Sequence, residues 1–382
     1  MRGGHTAAPF FRRLFRYRSS IVELATSLKE QLGALVDPLA GLTLAEQSAV
    51  SAVAVEQGRA VIELRLGYPL GRGAVALSEQ VRQAALAVDG VDQVAVDAQW
   101  RVRAHKVQNG LQPLPGVKNI IAVASGKGGV GKSTTSVNLA LALRAAGAHV
   151  GVLDADIYGP SIPRMLGMTG KPESRDGHHL EPLRKHGLQA MSIGFMVGED
   201  TPMIWRGPMV TQALQQMLTE THWDDLDYLI IDLPPGTGDI QLTLCQRIPV
   251  SAALIVTTPQ DIALLDARRA LQMFRKVEVP VLGVIENMSI HVCSQCGHAE
   301  PIFGSGGGER MAAEYGVELL GQLPLAMSIR EQADGGVPSV VAEPDGPIAQ
   351  AYLEIAQRAA ARLACQARSR QISFPSIVVQ DS

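Results

Sequence analysis

Cysteine is scarce in this chain: only four of its 382 residues are cysteines. So few thiols exclude a disulfide-rich secreted scaffold and favour a reducing compartment, and we predict a cytoplasmic location. Two of the four, Cys293 and Cys296, nevertheless lie three residues apart in the stretch HVCSQCGH, whereas Cys245 and Cys365 are far away in the sequence. Placing half of the thiols in one C-x-x-C motif indicates a specific use for the pair.

Aromatic residues (4%), charged residues (19%) and net charge (−3) are also low, while hydrophobic residues reach 46%. This aliphatic composition is typical of a globular chain rather than a disordered one. The small net charge gives no signature of nucleic-acid or anionic-membrane binding, so neither partner is predicted. No apolar run reaches membrane-spanning length, because Asp, Glu or Pro interrupts the longest ones within about 10 residues.

Acidic residues are missing from the first 20 positions, MRGGHTAAPFFRRLFRYRSS, which carry five arginines. This composition resembles an organellar transit peptide. A disordered tail, or a start codon placed too early, explains it as well, and we favour these two interpretations. Residues 1–20 are therefore excluded from the predicted fold.

A small α+β module is predicted over residues 21–105. Residues 52–67 and 90–98 alternate apolar and polar side chains, as half-buried strands do, and residues 78–88 place apolar side chains on one helical face. The module has no cysteine, so a thiolate metal site is not expected there. Residues 106–118 contain two prolines and two glycines and are predicted to form a linker.

Apolar, β-branched runs separated by helical patterns then recur at residues 119–125, 149–154, 227–232, 251–258 and 281–287. Such runs predict a mostly parallel, doubly wound sheet covered by helices on both faces, an α/β fold. We place this domain at residues 119–365 and a C-terminal tail at 366–382. Ligands of such sheets bind beyond the carboxyl ends of the strands, where every motif below lies.

The stretch SGKGGVGKSTT has the G-x-x-x-x-G-K-[ST] spacing of a phosphate-binding loop, between a predicted strand and a predicted helix. It predicts a P-loop NTPase that binds ATP through backbone N–H groups and the helix N-terminus. Lys132, which we expect to be solvated until nucleotide arrives, can bridge the β- and γ-phosphates, and the Ser133 hydroxyl can bind Mg²⁺. The predicted nucleotide-binding residues of the loop are Gly126, Lys127, Gly128, Gly129, Val130, Gly131, Lys132, Ser133 and Thr134.

Two further strand ends carry carboxylates, in VLDADIYGPSIP (152–163) and IIDLPPGTGD (230–239). Asp232 is predicted to hold Mg²⁺ through its water shell. Asp154 and Asp156 lie at the other strand end, and Asp154 could support either magnesium binding or the orientation of the attacking water. A helix cap is the alternative for a lone strand-end aspartate.

The loop GKGGVGKS resembles the deviant phosphate loop of the MinD/ParA/nitrogenase-reductase class of ATPases. In that class the extra lysine, here Lys127, reaches across a homodimer to the partner's nucleotide. The resemblance therefore implies a nucleotide-sandwich homodimer with Lys127 acting in trans. It also places Asp156 on a switch loop, where its carboxylate would orient the water that attacks the γ-phosphate. The implied catalytic residues are Lys127, Lys132 and Asp156.

Four longer motifs resemble the Mrp/ApbC family of iron–sulfur cluster carrier ATPases over about residues 115–360; they lie at residues 154–167, 205–216, 232–244 and 285–298. The small module resembles the domain that often precedes this ATPase in bacterial members. Asn287 matches the family position that contacts adenine, and a turn-forming asparagine is the alternative. Ser294 stands where many relatives have proline, which loosens the turn without removing a ligand.

The cysteine pair could serve in redox chemistry, in a zinc site or in an iron–sulfur cluster. A redox C-x-x-C would normally begin a helix, whereas this pair follows a strand. Flanking His291 and His298 would complete a tetrahedral zinc site, although four ligands within eight residues would strain the loop. A [4Fe–4S] cluster needs four thiolates, of which Cys293 and Cys296 supply two and a dimer the other two, so a bridging cluster is predicted.

The predicted function is a homodimeric ATPase that binds a bridging [4Fe–4S] cluster, works with assembly scaffolds and passes the cluster to apo-proteins. One alternative is a ParA/MinD-type partitioning or positioning ATPase. Against it, the C-terminal tail has no basic amphipathic face, and no Lys/Arg cluster in the ATPase domain suggests DNA. The other alternative is a zinc-stabilised ATPase with purely structural cysteines. The predicted cofactors are ATP, Mg²⁺ and the cluster.

Overall fold

The computed structural model of the chain describes residues 22–71, 73–108, 110–174, 176–196, 207–293 and 295–366. Some predicted features lie outside these described residues, namely the tail 1–20, residues 367–382 and Ser294. None of the helices in this described part of the chain has the length and apolarity that a bilayer crossing requires. The chain divides into two compact units.

The smaller unit comprises the residues up to Val102 together with Ala142–Ala148 and Leu353–Cys365. It begins with a helix over residues 22–33, α1. Its further elements are the strands β1 (Val36–Asp37), β2 (Leu42–Thr43), β3 (Val50–Glu56) and β4 (Arg59–Leu66), helix α2 (Gly73–Leu86) and strand β5 (Gln93–Trp100). Strands β3, β4 and β5 form one sheet in that order.

Alternation of apolar and polar side chains explains this sheet. In β4, Ile62, Leu64 and Leu66 are buried, while their neighbours face outward. A tight turn at Gln57 and Gly58 joins β3 to β4, and both residues have the positive φ that a two-residue hairpin requires (49° and 79°). Because β4 and β5 are parallel, the chain crosses between them through α2. The small α+β module is thus confirmed.

The larger unit contains an eight-stranded sheet in the order β15-β12-β11-β6-β10-β7-β9-β8, parallel except for the edge pair β8–β9. Its strands are β6 (Val117–Ala124), β7 (Val150–Asp154), β8 (Leu183–Lys185), β9 (Leu188–Ser192), β10 (Leu226–Asp232), β11 (Ala252–Thr257), β12 (Val281–Glu286) and β15 (Leu319–Gln322). This sheet confirms the predicted mostly parallel α/β fold.

Helices connect the strands of this sheet, and among the described residues three more follow its last strand, β15. They are α3 (Lys132–Ala145), α4 (Ile162–Met165), α5 (Gly207–Thr219), α6 (Asp239–Arg247), α7 (Asp261–Lys276), α8 (Gly307–Tyr315), α9 (Met327–Asp334), α10 (Ser339–Ala342) and α11 (Pro347–Ala364), with a short 3₁₀ turn at Ile193–Phe195. Side chains of α5, α6 and α7, among them Leu214, Leu244 and Phe274, pack with Leu229 and Ile231 of β10.

The register of the central strands positions the candidate site. Asp232, the last residue of β10, is opposite Asp154, the last residue of β7, and opposite Val123 of β6. Three neighbouring parallel strands therefore end at the same edge of the sheet. The glycine-rich loop follows β6, and β7 and β10 end in the carboxylates of Asp154 and Asp232.

Candidate functional site

The glycine-rich loop spans the gap between β6 and α3, and two of its glycines are required by close packing. A Cβ on Gly126 would lie 2.1 Å from the backbone carbonyl carbon of Asp266 in α7. A Cβ on Gly131, which has φ of 81°, would lie 2.2 Å from Nδ2 of Asn287. The loop therefore packs tightly against α7 and the end of β12, leaving its remaining backbone open to a ligand.

Lys132 is not solvated, so the expectation stated above is wrong. The residue is 6% exposed, and its ammonium nitrogen lies 2.8 Å from Oδ2 of Asp232 and 3.8 Å from Oδ2 of Asp156. The register of β6 and β10 brings the first turn of α3 over Asp232, so the lysine meets a carboxylate instead of water. Without nucleotide, its single positive charge partly offsets the negative charges of Asp156 and Asp232.

Asp154 and Asp232 are both fully buried. Burial, followed by the negative charge of Asp232, raises the pKa of Asp154 to about 7. Hydrogen bonds from the Ile162 N–H and the Ser192 hydroxyl oppose this rise. Burial also raises the pKa of Asp156, which the Lys132 ammonium counteracts. The site is thus rich in negative charge and depends on a cation.

Two serines of the site have no counterpart among the predicted residues. The Ser136 hydroxyl lies 2.7 Å from Oδ1 of Asp232 and donates to it, and the Ser192 hydroxyl donates to Oδ2 of Asp154 at 3.1 Å. Ser136 lies one helical turn after Lys132 and so shares its face, a signal that the sequence does contain. Ser192 is brought in by the pairing of β9 with β7, and no local motif marks it.

The oxygen ligands fit Mg²⁺. Oδ2 of Asp232 accepts no hydrogen bond of acceptable geometry among the described residues; it faces only the ammonium charge of Lys132. The hydroxyl of Ser133 lies 3.3 Å from the same ammonium. A carboxylate and a hydroxyl around one cationic position are a donor set that Mg²⁺ prefers. Their assignment as magnesium ligands stays a prediction.

Two further predicted site residues are Asn287, which directly follows β12, and Lys127, which belongs to the phosphate loop. The Asn287 side chain is 7% exposed and donates to the Val130 carbonyl at 2.9 Å, so it is locked to the phosphate loop. Lys127 is half-buried, and within the described part of the chain its ammonium forms no ion pair. Contact of Asn287 with adenine and action of Lys127 in trans both stay predictions.

The cysteine pair lies in a hairpin. Strands β13 (His291–Val292) and β14 (Ala299–Glu300) are antiparallel, and the loop between them is closed by a 2.9 Å bond from the Cys293 N–H to the His298 carbonyl. Cys293 is half-buried and Cys296 exposed. Backbone N–H groups of Cys296 and Gln295, directed at the Cys293 sulfur, lower the pKa of that thiol. The loop therefore favours a thiolate.

The hairpin carries two thiols, Cys293 and Cys296. Among the residues that the structure describes, no group of three or more His, Cys, Asp or Glu side chains converges as a metal site. Nδ1 of His291 is engaged 3.0 Å from the carbonyl of Leu325. A tetrahedral metal or a cluster on this hairpin would need further ligands from elsewhere.

Comparison with known families decides the class. Residues 116–360 match the family described as NUBPL iron-transfer P-loop NTPase. The chain belongs to this family. Residues 26–97 match a second family, described as iron-sulfur cluster assembly protein. The iron–sulfur carrier class and the P-loop fold predicted from the motifs are confirmed.

Curated relatives agree with this membership. The chain is 59% identical over 271 residues to an iron-sulfur cluster carrier protein of Pseudomonas fragi, which covers 70% of this chain and 94% of the relative. It is 51% identical over 254 residues to the iron-sulfur cluster transfer protein NUBPL of Mus musculus, with 66% and 80% covered. An Archaeoglobus fulgidus nucleotide-binding protein, solved in complex with ADP, has a TM-score of 0.53 at 35% identity and covers 62% of this chain and 91% of its own.

Proposed function

We propose that this iron-transfer NTPase is a homodimeric, ATP-hydrolysing carrier that receives a [4Fe–4S] cluster from an assembly scaffold and passes it to apo-proteins. The observation that carries the proposal is the hairpin with Cys293 and Cys296. The hairpin presents one half-buried thiol of lowered pKa and one exposed thiol. These two cysteines follow Asn287, which is hydrogen-bonded to the phosphate loop, by six and nine residues. The names of the relatives support the same cargo.

The cluster count follows from ligand chemistry. One chain offers two thiolates on this hairpin, and a [4Fe–4S] cluster takes four. Two copies that bring their hairpins together complete the set, which corresponds to about two irons per chain. Because Cys296 is exposed, the cargo would lie at the surface, where a partner's thiols can reach it. Exposure suits a cluster that must be handed over.

The nucleotide half of the proposal uses the ion pair of Lys132. Phosphate oxygens of ATP replace Asp232 as the partner of the Lys132 ammonium, because the phosphate chain carries more negative charge than a single carboxylate. Asp232 is then free to hold the water shell of Mg²⁺ with the Ser133 hydroxyl, and the bound ion would neutralise phosphate charge. Asp156, 3.8 Å from the lysine, orients the attacking water, and Lys127 of the second copy contacts the same phosphates.

Reconstitution tests the proposal. The full-length protein is treated with iron and sulfide without oxygen, and iron, sulfide, zinc, visible absorbance and molar mass are measured. We expect about two irons per chain in a dimer. Ser in place of Cys293 or Cys296 should abolish the chromophore while ATP hydrolysis persists. Cys365→Ser, which removes another exposed thiol, serves as the matched control and should retain the cluster.

The contrary results are specific. Near-full zinc with no chromophore, unchanged by added iron and sulfide, would make the cysteines structural and favour the zinc-stabilised alternative. A chromophore that survives in the hairpin variants would place the cluster elsewhere. Cluster loss by the wild-type protein to an apo iron–sulfur acceptor, measured as recovered acceptor activity, tests the transfer step.

A further inference from the structure

A cleft of about 440 Å³ lies beside the loop that follows Asp232. Its apolar lining, called here the floor, consists of the buried Met273 of α7 and the half-buried Leu242 of α6 and Tyr315 of α8. Its basic lining, called here the rim, consists of Arg268, Arg269 and Lys276, all on α7. No part of the predicted nucleotide or cluster chemistry uses this cleft.

The three cations of the basic rim are available to a further anionic partner. Arg269, with 71% of its side chain exposed, pairs with Asp266 at 3.0 Å, and Arg268 pairs with Glu314 at 2.8 Å. Exposed pairs of this kind contribute little, so a stronger anionic partner can displace either carboxylate. Lys276 forms no ion pair within the described residues. An approaching carboxylate therefore meets three cations that it can recruit.

The same face of α7 is apolar at its other end. Ile262 and Leu265 are 70% and 53% exposed, and they precede Arg269, Gln272 and Lys276 at spacings of three and four residues. Residues at these spacings form one stripe along a helix. Large apolar side chains left exposed beside a cleft mark a contact surface. The stripe thus offers apolar contact over one half and positive charge over the other.

We propose that this stripe and cleft dock an amphipathic, acidic segment of a partner protein. The apolar floor favours a peptide, because a nucleic acid bound through its phosphates would use the cations and leave Leu242 and Met273 uncovered. The proposed cargo function, on which the identity of the partner rests, makes that partner an acceptor or an assembly scaffold. The docking itself needs only α7 and its neighbours.

The position of the cleft links docking to nucleotide. Thr237 and Gly238 line it, five and six residues after Asp232. The same loop is tied to the start of the phosphate loop, because the Gly236 N–H donates to the Ser125 carbonyl at 3.0 Å. An occupant therefore touches a segment whose other end responds to Mg²⁺–ATP. Nucleotide should change the affinity for the acidic segment, and the segment should change the affinity for nucleotide by the same factor.

Fluorescence anisotropy with full-length, cluster-free protein tests the docking. The probe is a labelled helical peptide of Leu and Glu; a Leu/Lys peptide of the same pattern and a single-stranded DNA are the comparison ligands. We expect the Leu/Glu peptide to bind best and to weaken as salt rises. Arg269→Glu with Lys276→Glu should weaken it about tenfold or more, and Leu265→Ser should weaken it at least about threefold.

The control is a second pair of charge reversals, Arg184→Glu with Arg330→Glu, at exposed arginines that also pair with exposed carboxylates. These changes should leave the affinity within about twofold. Equal loss in the control, stronger binding of the Leu/Lys peptide or DNA, or no binding of the Leu/Glu peptide would overturn the proposal. Affinity that is insensitive to Mg²⁺ and a slowly hydrolysed ATP analogue would overturn the link to nucleotide.

Failure of the cargo function is separable from failure of docking. A protein that retains no iron after reconstitution but binds the Leu/Glu peptide at α7 would contradict the carrier proposal and leave the docking surface standing. A protein that retains its cluster but does not bind the Leu/Glu peptide would contradict the docking proposal and leave the carrier proposal standing.

Discussion

Lys132→Ala should destabilise the nucleotide-free protein, besides abolishing ATP hydrolysis. The ammonium is nearly buried and lies 2.8 Å from the fully buried carboxylate of Asp232. Removing one partner of a buried ion pair leaves the other uncompensated, at a cost of about 3–5 kcal/mol. Lys118→Ala is the matched control. Its ammonium is also 2.8 Å from a buried aspartate, Asp227, but is itself 37% exposed, and Asp227 keeps a hydrogen bond from the His149 N–H. Water and this bond can replace part of the lost interaction, so the expected loss is smaller, about 1 kcal/mol.

The loss caused by Lys132→Ala should depend on pH in a defined direction. The folded-state pKa of Asp154 is raised from 3.8 to about 7, so its contribution to stability is complete below 3.8 and is lost as pH rises through about 7. The Lys132 charge lowers the pKa of both Asp154 and Asp156, and without it each rises further. The difference in stability from wild type should therefore be largest above about pH 7 and shrink at about pH 6, where protons replace the lost cation.

Urea unfolding, followed by circular dichroism and tryptophan fluorescence at both pH values, measures these differences. Adding Asp232→Asn to Lys132→Ala removes the orphaned charge, and we expect most of the stability to return while hydrolysis stays absent. The reasoning is refuted if Lys132→Ala costs no more than Lys118→Ala, or if its cost is the same at both pH values. It is refuted equally if the double variant is no more stable than the single one.

Three further predictions concern the loop and the thiols. Lys127→Ala should lose ATP hydrolysis, and mixtures with a second phosphate-loop lysine variant should deviate from additive activity; additivity at every ratio would contradict action in trans. Gly126→Ala should lower the urea midpoint by the equivalent of about 1–3 kcal/mol or more because its Cβ meets the backbone of α7, whereas Gly128→Ala enters open space and should be tolerated. Iodoacetamide should modify Cys293 quickly and spare Cys245, which is buried with its pKa raised to about 12; mass mapping of the alkylated protein decides.

The strands and the phosphate loop could be predicted because their signals are local. Apolar runs of four to eight residues mark strands buried on both faces, and the loop spacing fixes where a strand gives way to a helix. The run at 119–125 is β6, Val117–Ala124, which begins earlier because its pairing with β10 starts at Val117. Register then brings Asp154 and Asp232 together, which strand-end position alone had suggested. The predicted domain boundaries stay predictions.

The features that escaped prediction depend on contacts between distant segments. Lys132 is buried against Asp232, a residue of the distant strand β10, and no spacing in the sequence specifies this contact. Ser192 reaches Asp154 only because β9 is added beyond β7, and Leu353–Cys365 joins the smaller unit although hundreds of residues separate them in sequence. The closing bond of the cysteine hairpin likewise joins Cys293 to His298, and the two strands beside it have two residues each, too few for a periodic signal.

Helix α7 shows how a pattern can be present and still be missed. Along the sequence, its cations are split into two pairs, Arg268 with Arg269 and Arg275 with Lys276, and the uncharged residues 270–274 lie between them, so no basic run appears. On the helix, positions 269, 272 and 276 align, and the apolar residues between them turn to the core, among them Leu271 and Phe274. Ile262 and Leu265 are exposed and lie on the same outward stripe as positions 269, 272 and 276. One outward face of α7 therefore carries both exposed apolar side chains and cations. An acidic, amphipathic partner complements this face, because its apolar side chains would cover the first group and its carboxylates would pair with the second.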